Sequence, residues 1–268
     1  MIPKVAVLSG FGINCETETI AAFEMTGALA ERVHVNRLVS GKIALSDFQI
    51  LAIPGGFSFG DHLGSGRLLG NRLRFGIREQ VRGFVLDRKP VIGICNGFQV
   101  LVKMGLLPGD DEVSLTQTAS LTLNDSGQYE NRWVTLEFDK GSPCIWTTGI
   151  DRMRVPVRHG EGKFVTDDLS MLDKWSTSGQ LVARYVDPGT AYPSAGDEVI
   201  PYPLSPNQSW RNVAGVCDSS GLVFGIMPHP EAYHSTWLGP SWTRESLNHG
   251  QGEGLAIFQN AVRHVMQE

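Results

Sequence analysis

Pro90-Val91-Ile92-Gly93-Ile94-Cys95-Asn96-Gly97-Phe98-Gln99 is the stretch on which the fold turns. Val91–Ile94 is wholly apolar, the composition of a strand buried on both faces of a parallel sheet. From about Gly97 to Met104 the pattern reads as a helix, and Gly105 supplies its stop. Between strand and helix stands Gly93-x-Cys95-x-Gly97, the thiol version of a nucleophile elbow. The chemistry needs those residue types. Glycines on either side relieve crowding at a sharp turn that lifts the cysteine above the sheet, and the sulfur then meets a helix N-terminus, where the dipole and the unpaired amides favour thiolate over thiol. An isolated cytosolic cysteine is more often an inert core residue, but both glycines and the strand-turn-helix context favour the reactive reading.

Outward from this point the strand and helix signals alternate. Lys4–Leu8 reads as a strand ending in the loop Ser9-Gly10-Phe11-Gly12, and Glu16 to Leu29 has helical spacing in Ile20, Phe23 and Ala28. Val33–Val35 and Phe48–Ile53 are further strands, the latter stopped by Pro54-Gly55-Gly56; a glycine-rich loop runs to about Gly70, and Arg72 to Leu86 forms an amphipathic helix. This alternation predicts an α/β fold, a doubly wound, mostly parallel sheet with helices on both faces, whose ligands bind beyond the carboxyl ends of the strands. Thr116–Leu123 and Trp133–Phe138, around Asn124-Asp125-Ser126-Gly127, predict a small antiparallel sheet against the main one. Asp187–Pro206 reads as a long irregular loop, Val213–Cys217 with Leu222–Ile226 as a hairpin, and Gly254–Met266 as a closing helix. With no internal repeat, residues 1–268 are read as one domain.

Composition narrows the function classes. The chain of 268 residues is 41% hydrophobic and carries a net charge of −5, so it can build a core but has no basic excess for a phosphate backbone; nucleic acid and membrane drop out as expected partners. The apolar run after Lys4 is too short for a secretory signal, and Cys15, Cys95, Cys144 and Cys217 show no Cys-x-x-Cys pair, which suits a cytoplasmic protein without a disulfide framework. Gly10-Phe11-Gly12-Ile13-Asn14-Cys15 begins like a dinucleotide fingerprint, but Cys15 stands where the third glycine is required. His229, Glu231 and His234 lack the spacing and the helix of a zinc protease motif, so no metal is expected.

A thiol nucleophile needs a base, and Met227-Pro228-His229-Pro230-Glu231 offers one. The prolines forbid a helix, and in an extended segment His229 and Glu231 project to one side as base and orienter. Cys95, His229 and Glu231 thus have the logic of a Cys-His-Glu triad. Pro54-Gly55-Gly56-Phe57-Ser58-Phe59-Gly60-Asp61, at the end of another parallel strand, can turn backbone amides toward an oxyanion.

Taken together, the Cys95-Asn96-Gly97-Phe98-Gln99 elbow, Gly105-Leu106-Leu107-Pro108-Gly109, the Gly56–Asp61 loop, Arg158-His159-Gly160-Glu161-Gly162-Lys163-Phe164 and Pro228–Glu231 resemble the triad class (class I) of glutamine amidotransferases. Within it they are most similar to the glutaminase subunits of phosphoribosylformylglycinamidine synthases. The resemblance runs from about Val5 to the last helix and implies a flavodoxin-like fold and hydrolysis of L-glutamine to glutamate and ammonia, with Cys95 as nucleophile, His229 as base and Glu231 as its orienter. It further implies that Gly56, Phe57 and Asn96 offer oxyanion or substrate amides and that Gln99 and His159 line the glutamine pocket. No cofactor is implied for this chain. ATP and Mg2+ would belong to a partner, the formylglycinamidine synthetase large subunit of purine biosynthesis, with a small accessory subunit as a further candidate. Ala232 stands where the family usually has arginine, Asn207-Gln208-Ser209 where Asn-Gly-Ser is usual, and Ala232–Gly250, with Trp237 and Trp242, is atypical. A cysteine hydrolase of the related peptidase or glyoxalase-like group, or a non-catalytic glutaminase-like regulatory subunit, is the alternative.

Overall fold

The computed structural model describes residues 2–109, 113–190, 198–244 and 250–267. Its strands are β1 (Lys4–Ser9), β2 (Leu29–His34), β3 (Ile50–Ile53), β4 (Val91–Ile94), β5 (Ser120–Thr122), β6 (Glu130–Phe138), β7 (Arg152–His159), β8 (Lys163–Val165), β9 (Ala183–Val186), β10 (Val213–Cys217) and β11 (Val223–Ile226). The α-helices are α1 (Glu16–Glu24), α2 (Val35–Val39), α3 (Arg67–Gly76), α4 (Arg78–Leu86), α5 (Asn96–Met104), α6 (Leu169–Thr177) and α7 (Leu255–Gln267).

Nine strands make one sheet in the order β2-β1-β3-β4-β11-β10-β9-β6-β7. The first five are parallel, in the flavodoxin-like winding; the remaining pairings are antiparallel. β3, β4 and β11 are buried at every position, as wholly apolar strands between two helical layers must be. Phe23 of α1 packs edge-on against Phe258 of α7 at 4.9 Å, while α3 packs against α5.

The elbow leaves no room for a side chain at its glycines. A Cβ on Gly97 would lie 1.8 Å from Ile53 O, and one on Gly93 2.5 Å from Gly97 O. Helix α5 therefore starts in backbone contact with the end of β3, and Cys95 takes the left-handed φ of 51° that a nucleophile elbow requires.

The parallel half, the hairpin β10–β11 and α7 follow the reading of the sequence; other parts differ for identifiable reasons. The helix read as Glu16–Leu29 ends at Glu24, the chain turns at Thr26-Gly27, and Leu29 already belongs to β2. β2 is an edge strand with mostly exposed residues, so its apolar signal shrinks to Val33. The single helix read over Arg72–Leu86 is two, broken at Ile77, whose φ of −139° is not helical. Trp133–Phe138 lies within β6, which joins the main sheet; only Ser120–Thr122 of the Thr116–Leu123 stretch is a strand, pairing with β8 as a separate two-stranded antiparallel sheet. β7, β8, β9 and α6 carry no clear periodic signal in the sequence. Of Asp187–Pro206, positions 191–197 lie outside the described residues and the rest is irregular.

Because the Gly97 contact is backbone to backbone, Gly97→Ala is expected to cost about 3 kcal/mol or more, lowering the melting temperature by about 5–10 °C. Gly83→Ala in α4, where no described atom lies within 4 Å of the new Cβ, should instead stabilise by about 0.5–1 kcal/mol. Thermal denaturation of the two variants beside the parent distinguishes close approach from a general intolerance of alanine.

Candidate active site

The ends of β1, β3, β4 and β11 deliver four loops to one edge of the sheet. β4 and β11 pair in register with Ile94 opposite Ile226, and Cys95 N donates to Ile226 O at 2.8 Å. Cys95 and the His229 segment are therefore neighbours by construction. Cys95 is buried, and at rest its thiol donates to Arg158 O (3.5 Å). His229 N donates to Pro156 O of β7 at 2.8 Å, and His229 Nδ1 meets Glu231 Oε1 at 2.6 Å. Both residues are buried, and His229 Nε2 and Glu231 Oε2 have no hydrogen-bond partner among the described residues. Burial opposes charge on His229, but the Glu231 carboxylate, then Cys95 and the thiols beside the ring, outweigh it and hold its pKa well above the ordinary histidine value. The imidazole is thus poised to carry a proton beside a thiol.

The Pro54–Asp61 loop is shaped by a second close approach. Gly56, at φ +152°, lies so near the β1 loop that a Cβ would sit 2.5 Å from Gly12 O. Phe57 N donates to that same Gly12 O (2.9 Å), so this amide, expected to face a ligand, is already engaged. Gly56 N and Asn96 N, the latter in the first turn of α5, make no hydrogen bond among the described residues. They are free donors of the kind an oxyanion needs.

Side chains lock the loops together. Asn96 Oδ1 accepts from Ser58 N (3.2 Å), while its Nδ2 donates to Asp61 Oδ1 (3.2 Å) and Gln99 Oε1 (2.9 Å). Gln99 Nε2 donates to Glu161 O, and Glu161 Oε2 accepts from Ser65 N at 3.2 Å. Burial, reinforced by nearby Glu161, pushes the Asp61 carboxyl above its usual range. Asn96 and Gln99 thus join the elbow to both neighbouring loops, with Gln99 buried beneath them. Phe57 and Tyr129 are both exposed and stand 6.2 Å apart.

His159, at the end of β7, is packed down against the loop that follows. Its Nδ1 lies 3.0 Å from Asn124 Oδ1, which also accepts from Gly162 N (3.1 Å), and Asn124 Nδ2 donates to His159 O (2.8 Å). Burial, aided by charge on His229, pushes the His159 pKa down to about 3, so the ring is neutral and donates from Nδ1.

Two features were not legible in the sequence. Pro156 and Arg158 act through backbone carbonyls, which carry no residue signature. Cys15, rejected as part of a nucleotide fingerprint, also comes to this edge: a Cβ on Gly55 would lie 3.2 Å from Cys15 Sγ, 2.8 Å from His229 Cε1 and 3.5 Å from Cys95 Cβ. Its place after the loop that follows parallel strand β1 was the available signal. His234 is not part of this cluster.

The sequence profile of the CobB/CobQ-like glutamine amidotransferase domain matches residues 2–265. The chain belongs to this family. Among amidotransferase relatives, the phosphoribosylformylglycinamidine synthase subunit PurQ of Dehalococcoides mccartyi is 41% identical over 264 residues, covering 98% of both chains. The protein of the same name from Archaeoglobus fulgidus is 38% identical over 277 residues, covering 98% of this chain and 97% of the other. A chain in the solved structure of PurLQS from Thermotoga maritima superposes with a TM-score of 0.71 at 28% identity, covering 99% of this chain and all of that one.

The neutral His159 makes this amidotransferase acid-sensitive. The unfolded ring binds a proton near pH 6.5 while the folded one resists until about 3, so the unfolded state gains protons first and stability is lost as pH falls through that window. Urea unfolding at pH 7 and pH 5 should show the parent losing about 1–2 kcal/mol more than His159→Gln. An equal loss in both proteins would contradict the assignment.

Proposed function

We propose that this chain is the glutaminase subunit of a phosphoribosylformylglycinamidine synthase, releasing ammonia from L-glutamine for a partner synthetase. The observation that carries the reading is the alignment of Cys95, His229 and Glu231 at the ends of paired strands β4 and β11. The name shared by its relatives, and the PurLQS assembly that holds one similar chain, support the partner.

In this reading the Cys95 thiolate attacks the side-chain amide carbon of glutamine. The oxyanion forms beside Gly56 N and Asn96 N, donors that make no hydrogen bond among the described residues. His229, kept protonatable by Glu231, gives its proton to the leaving nitrogen; ammonia departs and a γ-glutamyl thioester remains on Cys95. His229 then takes a proton from water, which attacks the thioester and frees glutamate. Asn96, Gln99 and His159 are positioning residues that hold the three loops in register, and Phe57 contributes its side chain to the entrance rather than its amide to the oxyanion. The chain works as one amidotransferase domain without a cofactor, while ATP and Mg2+ serve the synthetase, since no phosphate-binding glycine loop of the P-loop type is present in the sequence. A cytoplasmic setting follows from the purine-pathway reading itself. With all three triad residues present, the non-catalytic alternative has no observation behind it.

Glutamate release by the chain assembled with its synthetase partner is the test. Cys95→Ala should lower it by about 10³-fold or more with an unchanged melting curve, and Glu231→Gln should be milder than His229→Ala, because orienting a base contributes less than being one. Near-normal activity of Cys95→Ala would end the proposal.

A glutamine analogue with an electrophilic carbon at the amide position should alkylate Cys95, and glutamine should protect it. Burial, then the charges of Glu231 and Cys95, push the Cys15 thiol up, and Cys217 is raised by its contact with Cys144 and by burial, so both stay protonated and slow. Peptide mapping that found the label on Cys15, or found no effect of glutamine, would remove Cys95 from the nucleophile's place.

A further inference from the structure

Cys15 takes no part in the hydrolysis described above, yet its sulfur stands in the same pocket. It follows the β1 loop at the start of α1, partly exposed, with its thiol donating to Asn14 Oδ1 at 3.3 Å. Around the Gly55 backbone it converges with the His229 ring and Cys95, and donor atoms of Cys15, His229 and Glu231 lie within 4.8 Å of one another. His229 Nε2 is buried and without a hydrogen-bond partner among the described residues, with Glu231 occupying the far nitrogen of the ring.

We propose that Cys15, Cys95 and His229 Nε2 form a site for a thiophilic divalent cation of the Zn2+ class, with Glu231 holding the imidazole from behind. Two sulfurs and one imidazole nitrogen are a donor set that selects Zn2+ over Mg2+ or Ca2+. A carboxylate on the second ring nitrogen is the usual support of a metal-binding histidine, fixing its tautomer. Tetrahedral zinc needs donor atoms about 3.3–3.8 Å apart; donor atoms of Cys15 and His229 already lie within 4.8 Å of one another, and Cys95 joins them by rotation of its side chain. Cys95 would give up its bond to Arg158 O in doing so. Each thiol releases its proton to solvent as the cation binds, which makes binding stronger as pH rises. The partial exposure of Cys15 supplies the entry path, and a fourth position remains for water. Such a cation is no cofactor: it ties up Cys95 and His229 and stops glutamine hydrolysis until a chelator removes it. The binding stands on geometry alone, whereas the inhibition rests on the glutaminase reading.

The reduced, metal-free full chain is titrated with Co2+ without oxygen, then with Zn2+. One equivalent of Co2+ should produce thiolate-to-cobalt absorption with the visible bands of tetrahedral cobalt, and Zn2+ should erase them. Cys15→Ser and Cys95→Ser should each lose the thiolate band. Cys144→Ser and Cys217→Ser should keep it, because Cys217 pairs with Phe224 near the start of β11, at the opposite edge of the sheet. In the complex with the synthetase, Zn2+ should suppress glutamate release, a chelator should restore it, and Cys15→Ser should raise the zinc needed for half-inhibition at least about tenfold. No thiolate–cobalt band, or one that survives Cys15→Ser or depends on Cys144 or Cys217, would overturn the site. Cobalt binding as described, in a protein that releases no glutamate under any condition, would uphold the site and locate the failure in the glutaminase reading.

Discussion

The hydrogen bond from Cys95 N to Ile226 O, 2.8 Å long, is the last rung of the parallel ladder between β4 and β11, and the active edge is built on it. It ends both strands at the same height, so a sharp turn on one places a thiol and a proline-flanked extension of the other places an imidazole within reach. The strain is local: Cys95 holds a left-handed φ, and the buried strands on either side over-determine it. The close approach of α5 to the end of β3 at Gly97 adds the third loop to the same point. Three loops from non-contiguous segments thus meet at one point.

How much of this was legible in the sequence follows from where the information resides. Buried parallel strands are written as short apolar runs, and β3, β4 and β11 were read nearly to the residue. The elbow was legible because its sterics demand glycine at two fixed offsets. Edge strand β2 was truncated in the reading because only Val33 is buried along it. β7 was missed altogether: arginines interrupt its apolar residues, although its backbone positions the base. The motif around Cys15 signals only the nucleotide it does not bind, whereas its place is set by winding order, with β1 between β2 and β3 in the parallel sheet.

The antiparallel half does more than extend the core. β6 and β7 pair along eight positions, and the loop after β7 returns through His159, Asn124 and Glu161 to the elbow helix. Asn124 accepts from His159 and Gly162 and donates to His159 O and to Gln128 O of its own turn, so the segment is held by a polar cluster that leaves little freedom at its centre. The neutral His159 belongs to that cluster, and its suppressed basicity follows from the same burial that makes the loop rigid.

The bond from His229 N to Pro156 O couples the two halves in an unusual currency, that of strand register. A carbonyl oxygen is the same whatever side chain stands beside it, so substitution at position 156 that preserves the backbone leaves the base where it is. Slippage of β7 by one residue would turn that carbonyl away and displace the imidazole, with every residue of the triad intact. Divergence in this region is therefore free to rewrite side chains but is tightly bounded in length, and an insertion or deletion within β7 reaches the chemistry where a point change does not.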